Sequence, residues 1–256
     1  MATKRFRKDV KKKIIVIPAH MDSFRLPGKP MLEAAGKPLV QWTYEQAKKT
    51  KADYVIVATG DTEISRHCEK VGMSWVFTKE EHLNGTSRVA EVFASLNPEV
   101  RQRTSSIVNW QVDEPLLDPL DVDVLMSMRI STIGTLVCLI GDKPLVSSIV
   151  NPNTVKVVWS NNRCHWFSRV YAPGAGFHVG LYSFSPFLLQ AVCLLKSSRL
   201  STLESLEQLT WIENGFTLSP IEIKQIPLSI DTFADWEKFK RIKKNSNISF
   251  TFFSFY

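Results

Sequence analysis

Hydrophobic positions along this chain fall into short solid runs separated by longer periodic stretches. Lys13–Pro18 (KIIVIP) and Asp53–Thr59 (DYVIVAT) are rich in β-branched residues and read as strands buried on both faces. Ser74–Phe77 and Ser105–Gln111 (SSIVNWQ) extend the set. Helical patterns stand between them. One opens at Pro38, a residue suited to a first helical turn, and reaches about Thr50. A second runs to Val71, with Asp61 as its cap and Ile64, Cys68 and Val71 on one face. A third covers about Ser87–Leu96. This alternation predicts an α/β fold on a doubly wound, mostly parallel sheet. Ligands of such sheets bind beyond the carboxyl ends of the strands, where the loops at 19–30, 82–88 and 111–115 fall.

The second half has a different rhythm. Strand-like stretches at 132–139, 154–159, 164–168 and 177–184 are followed by helix-like stretches at about 185–196, 201–214 and 232–243. This predicts an α+β portion built onto the first sheet, with no repeat and no clean linker. The expected organisation is a basic tail (1–12), one domain (13–245) and an aromatic tail (246–256). Within the domain, about 13–130 forms the first part and about 131–230 the second.

Composition removes several alternatives. Hydrophobic residues are 44% and charged residues 22% of the 256, which excludes wholesale disorder. Cys68, Cys138, Cys164 and Cys193 form no CxxC pair, which argues against a paired-cysteine zinc site and for four buried free thiols. No apolar run is long enough to span a bilayer, and the five-residue apolar run ending at Pro18 is too short for a secretory signal. A cytoplasmic setting is the default. Residues 1–13 hold seven basic residues against Asp9 and so carry six of the seven net positive charges. A second basic cluster is Lys238, Lys240, Arg241, Lys243 and Lys244. Without interleaved aromatics, these ends read as solvated charge rather than as a specific nucleic-acid platform. Phe250, Phe252, Phe253, Phe255 and Tyr256 suggest either an added strand or a poorly ordered extension.

Two stretches carry candidate chemistry. In residues 18–30, Arg25 and Lys29 flank Gly28. Glycine lets backbone approach a ligand, arginine offers a fork for phosphate oxygens, and lysine adds a point charge. The stretch suits a nucleoside triphosphate, although it is not a Walker A loop; a Pro-rich connector is the equal alternative. In Asn109–Pro115 (NWQVDEP), Asp113 ends a strand, where it could hold Mg²⁺, which takes one or two protein carboxylates. Asp231 is a second candidate ligand, or else a helix N-cap.

These stretches resemble the 3-deoxy-manno-octulosonate cytidylyltransferases, also called CMP-KDO synthetases, over about residues 13–243. Residues 18–30 match PARxxSxRLPGKP except at His20. VATGD (57–61) is similar to VATDD, residues 82–88 resemble HxSGTxR, and NWQVDEP resembles NVQGDEP. Residues 151–158 resemble NPNxVKVV, Phe167–Arg169 match FSR, and His178–Tyr182 match HxGxY. Residues 203–209 match LExLEQL, and Ile230–Thr232 resemble VDT. The resemblance implies a nucleotide-diphospho-sugar transferase-like fold and a homodimer. It implies transfer of CMP from CTP to the anomeric hydroxyl of an acidic sugar, with Mg²⁺ and release of pyrophosphate. It places Ala19, His20, Ser23, Arg25 and Lys29 on CTP, and Gly85, Thr86 and Arg88 alongside. Asp113 and Asp231 would bind the metal, with Arg25, Lys29 and Asp113 as the catalytic set. Gln111, Arg169, His178, Tyr182, Glu207 and Gln208 would hold the sugar.

The chain departs from that pattern at His20 (for Arg), Asn84 (for Ser), Val112 (for Gly) and Thr210 (for Arg). Val112 is expected to obstruct a close backbone approach. The connection from Ser168 to His178 is shorter than the family's. These changes keep two alternatives open: a different 2-keto-3-deoxy acid sugar, or a nucleotide-binding homologue with impaired catalysis.

Overall fold

The computed structural model describes residues 11–79, 81–129, 131–140 and 150–251, with side chains to 245. The basic residues 1–10 lie outside them, as do residues 252–256 of the aromatic tail. A sheet of nine strands organises the chain. In chain order the strands and helices are β1 (Lys12–Pro18), a short β2–β3 hairpin (Glu33–Ala34, Lys37–Pro38), α1 (Leu39–Ala47), β4 (Tyr54–Thr59), α2 (Thr62–Val71) and β5 (Trp75–Phe77). Next come α3 (Gly85–Ser95), α4 (Pro98–Arg103), β6 (Thr104–Asn109), α5 (Pro119–Leu125) and β7 (Ile133–Cys138). Then follow β8 (Lys156–Ser160), β9 (Arg163–Ser168), β10 (Gly176–Phe184), α6 (Pro186–Cys193), α7 (Arg199–Glu204), α8 (Glu207–Glu213), β11 (Leu218–Ile223) and α9 (Phe233–Thr251).

Strand order is β11-β7-β10-β6-β1-β4-β5. β6, β1, β4 and β5 run parallel, and β11 is parallel to β7. Only β10 runs against both of its long neighbours. The β8–β9 hairpin extends the sheet from the start of β10. The two parts expected from sequence therefore share one sheet. Ile14, Ile15, Val16 and Ile17 are all fully buried. Alternate residues feed two cores: Ile15 and Ile17 face Val40, Tyr44 and Ile64, while Ile14 and Val16 face Val89, Val92 and Phe93. Solid apolar strands thus report helices on both faces.

Several boundaries differ from the sequence expectation. The single helix over 201–214 is two helices, broken where Ser205 turns left-handed (φ 52°). Asp61 makes no side-chain cap on α2; its Oδ2 instead accepts from Met21 N at 3.1 Å, across to the loop after β1. Val71 is exposed, so the apolar residues buried by α2 are Ile64 and Cys68, with Ser65 beside them. Cys193 is exposed, unlike the other three cysteines. α9 carries helical backbone through Thr251, so the start of the aromatic tail is no added strand. α4, α5 and β11 are not legible as periodic runs. The two helices announce themselves by capping Asn97-Pro98 and Asp118-Pro119 pairs.

The turn after β6 is fixed from below. Trp110 is fully buried and its indole N–H donates to Glu114 O at 3.0 Å, while Thr43 Oγ1 donates to Val112 O at 2.6 Å. Farther along the sheet, β10 changes register between Val179 and Tyr182. Thr135 Oγ1 serves that irregularity by donating to Leu181 O at 2.8 Å. A hydroxyl has one proton, so its 2.8 Å contact with His178 Nε2 is a bond donated by the imidazole. His178 is therefore protonated on Nε2, and its buried ring is neutral. Burial holds its pKa down at about 3.

Two outcomes test this packing. Trp110→Phe leaves the Glu114 carbonyl without its buried donor and should cost about 1–3 kcal/mol in denaturant unfolding. His178 binds fewer protons folded than unfolded between about pH 3 and pH 6.5. Its contribution is thus fully present above pH 6.5 and is lost as pH falls. A His178→Asn protein should lose less stability than wild type as pH falls from 6.5 to 4.5; equal slopes would refute the buried neutral imidazole.

Candidate active site

The loop leaving β1 turns back on itself at Gly28, whose φ of 66° suits glycine, and a single 3-10 turn follows at Lys29–Met31. The turn delivers a nearly buried Lys29 beneath the end of β6. Lys29 Nζ lies 2.6 Å from Asp113 Oδ2 and 3.8 Å from Asp231 Oδ1. Arg25 Nη2 lies 2.6 Å from Asp231 Oδ1, and Arg25 Nη1 also donates to Asn153 Oδ1. Two cations and two carboxylates thus form one cluster.

Asp231 reaches it because Ile230 N donates to Asp113 O at 2.9 Å. Ile230 itself is buried among Leu26, Leu39, Trp236 and Phe239. Sequence allows Asp231 two roles, ligand or cap. Capping of α9 is done by its neighbour: Thr232 Oγ1 donates to Asp235 Oδ2 at 2.7 Å and accepts from Asp235 N at 3.3 Å. Asp231 is left to the charge cluster.

Electrostatics describe a site short of positive charge. Burial acts to lower the Lys29 pKa, but the charge and hydrogen bond of Asp113 outweigh it and hold the ammonium above its ordinary value. Asp231 is raised by burial and by the like charge of Asp113, despite Lys29 and Arg25. Glu114, fully buried beside them, is raised well above the carboxylate range by burial and then by Asp113. A further cation between Asp113 and Asp231 would relieve this repulsion. No group of three or more His, Cys, Asp or Glu side chains among the described residues could hold a metal. Two hard carboxylate donors, completed by phosphate and water, nevertheless suit Mg²⁺.

Two cavities open from the cluster. One, of about 430 Å³, is lined by His20, Ser23, Arg25, Lys29, Gly85 and Arg88 among others. The second, of about 360 Å³, is lined by Asn153, Arg169, His178, Ser229, Asp231 and Lys238 among others. Arg25, Gln111 and Asp113 stand in the walls of both.

On the first side, Ala19 is buried and its N–H already donates to Ala58 O, so Pro18 and His20 supply the wall. Arg88 is nearly buried and held by Thr78 Oγ1 at 2.5 Å and Lys79 O at 3.0 Å. A Cβ on Gly85 would stand 3.0 Å from Gln111 Nε2 and 3.2 Å from Pro18 Cγ, so glycine is needed for α3 to approach. Asn84 caps α3 by accepting from Ser87 N at 2.9 Å. Val112 lines the first cavity as well. It is buried in the core, and it is not among the residues of positive φ.

On the second side, Gln111, Arg169 and His178 line the cavity, while Tyr182, Glu207 and Gln208 do not. Tyr182 is buried, its ring 4.8 Å from that of Trp211. Glu207 accepts from Thr86 Oγ1 at 2.9 Å, and burial raises its pKa to about 7. Arg169 spends Nε, Nη1 and Nη2 on the carbonyls of Glu204, Pro152 and Ser205, tying the β9 exit to two loops. Sequence reasoning misses Asn153, Ser229 and Lys238. Nothing in the stretch 151–158 singles out Asn153 for a role, and Lys238 is hidden in a cluster that reads as solvated.

Comparisons with known proteins fit this arrangement. The model of the cytidylyltransferase family matches residues 14–226. A "3-deoxy-manno-octulosonate cytidylyltransferase" of Francisella tularensis subsp. novicida is 34% identical over 89% of this chain and 97% of its own. One from Pseudomonas fluorescens is 35% identical over 89% and 96%. A solved CMP:2-keto-3-deoxy-manno-octonic acid synthetase complexed with CTP superposes with a TM-score of 0.82 and 31% identity, over 92% of this chain and 100% of its own. The inositol-1-phosphate CTP transferase from T. maritima shares the fold alone (TM-score 0.65, 13% identity, 92% and 96% coverage). No helix among the described residues is long and apolar enough to cross a membrane. By sequence match and by fold, the chain belongs to the cytidylyltransferase family.

Proposed function

We propose that this protein transfers CMP from CTP to the anomeric hydroxyl of 3-deoxy-manno-octulosonate. The observation that carries the reading is the pair of cavities meeting at Arg25, Gln111 and Asp113. A triphosphate in the first and an acidic sugar in the second would bring their reacting atoms to the charge cluster. The sugar oxygen attacks the α-phosphorus as the bond to the β-phosphate breaks, and the hydroxyl proton leaves to solvent. Pyrophosphate is the second product.

Negative charge grows on the phosphate oxygens in that step. Arg25 and Lys29, released from Asp231 and Asp113, would turn to those oxygens. Mg²⁺ bound by Asp113 and Asp231 would supply charge neutralisation and lower the pKa of a bound hydroxyl. His20 offers an imidazole on the CTP side where the family pattern has an arginine fork. Lys238, in the wall of the second cavity, adds a cation on the side of the sugar carboxylate. A homodimer and a cytoplasmic setting belong to the same reading, supported by the near full-length likeness to the relatives.

A second reading rests on one observation. Only Arg169–Ala175 link β9 to β10, a short edge to the sugar cavity, which favours another 2-keto-3-deoxy acid as acceptor. A panel of acidic sugars decides between the two.

Pyrophosphate release should require CTP and the sugar together. Asp113→Asn and Asp231→Asn should each lower kcat at least ~100-fold, about 2.7 kcal/mol of barrier, with an unchanged circular dichroism spectrum. A rate within threefold of wild type in either variant would remove that carboxylate from the reaction.

A further inference from the structure

A line of buried polar groups runs from α8 to the junction of the two cavities. Thr86 Oγ1 donates to Glu207 Oε1 (2.9 Å), Asn109 Nδ2 donates to Thr86 Oγ1 (3.1 Å), and Gln111 Nε2 donates to Asn109 Oδ1 (2.9 Å). Thr86 and Asn109 are essentially inaccessible to solvent. Above the Glu207 pKa of about 7, where its carboxylate is ionised, the order of donors is forced from one end. An ionised carboxylate only accepts, so the single Thr86 proton goes to Glu207. Thr86 can then only accept, which requires the amide nitrogen of Asn109. The Asn109 oxygen is left facing Gln111 and requires the amide nitrogen of that side chain. The Gln111 oxygen is the end that remains for the cavities. Gly85, packed against the same amide, leaves it little room to swing.

We propose that Glu207 is a positioning residue: through Thr86 and Asn109 it fixes the Gln111 amide so that a carbonyl oxygen faces the reacting junction and selects a ligand hydroxyl donor. This deepens the proposed function and rests on it for the identity of that ligand, a polyhydroxylated acid. It assigns Glu207 a role at a distance, consistent with its absence from the cavity wall. A misdirected amide would turn N–H groups toward a hydroxyl and toward the metal-binding side, where an acceptor is needed.

Reversing the line tests it. Glu207→Gln keeps size and a hydrogen-bond partner but lets the new amide donate or accept, so direction is no longer enforced. Gln111→Glu sets a carboxylate against the Asn109 oxygen. In the double variant the chain can run backwards: the amide at 207 donates to Thr86, Thr86 to the Asn109 oxygen, and the Asn109 amide to the carboxylate at 111. An acceptor again faces the junction. Assays at pH 8.5, above the Glu207 pKa of about 7, keep the wild-type carboxylate ionised.

With CTP saturating, Glu207→Gln should raise the sugar KM ~5–10-fold with a smaller change in kcat, the scale of one hydrogen bond. Gln111→Glu should lower kcat/KM at least ~100-fold, and the double variant should recover at least ~10-fold of that loss. Thermal melting without substrates should show the same pattern, Gln111→Glu lowering the Tm and the second substitution restoring part of it. A double variant that melts no higher than Gln111→Glu would overturn the relay. Coupled melting in a wild-type background that releases no pyrophosphate would leave the relay standing and overturn the function proposed above.

Discussion

The bond from Ile230 N to Asp113 O is the constraint from which the site follows. It pins the strand leading into α9 against the end of β6. Once pinned, Asp231 must stand beside Asp113, and two carboxylates in a half-buried corner repel. Burying like charges is unfavourable unless cations join them. Lys29 and Arg25, carried by a loop wrapped under the same corner, supply them. The ion pairs are therefore a consequence of backbone docking and not its cause. The apolar cluster of Leu26, Leu39, Ile230, Trp236 and Phe239 provides the stability that holds the repelling groups together.

That division explains how the same side chains can serve a substrate. Ion pairs at this degree of burial return little net stability, because desolvation offsets attraction. Were a phosphate oxygen to replace Asp113 as the partner of Lys29, the fold would lose little. The loop and α9 would stay where Trp236 and Phe239 put them. A site whose architecture rested on its own salt bridges would loosen whenever a ligand competed for them.

Much of this is legible in the amino-acid sequence. KIIVIP and DYVIVAT announce central parallel strands because only strands covered on both faces tolerate unbroken apolar runs. Arg25, Lys29 and Asp113 are legible because loops at the ends of such strands are where charge has a use. Asp231 is legible as a candidate yet ambiguous, since an Asp before a helix serves equally as a cap. Thr232 and Asp235 settle that competition through side-chain hydrogen bonds whose geometry no spacing reveals. β11 escapes notice because Leu218–Ile223 alternates around a proline, and α7 and α8 read as one helix because a left-handed Ser205 leaves no compositional mark. Lys238 is unreadable for a similar reason: one lysine of a basic cluster faces a cavity, and only packing distinguishes it.

The departures from the family pattern sort by the same physics. At Val112, where glycine is usual, the chain needs no left-handed backbone, and the side chain enters the core while Thr43 holds the carbonyl. At Asn84, a residue equally able to cap α3 replaces serine. Each change meets a local demand of its position, and both side chains also line the cavity that holds Arg25 and Lys29. His20 stands in the wall of that same cavity and is exposed there. The guanidinium fork of the family pattern has there been exchanged for an imidazole, which offers fewer donors. The cost or benefit of that exchange must be felt by the ligand.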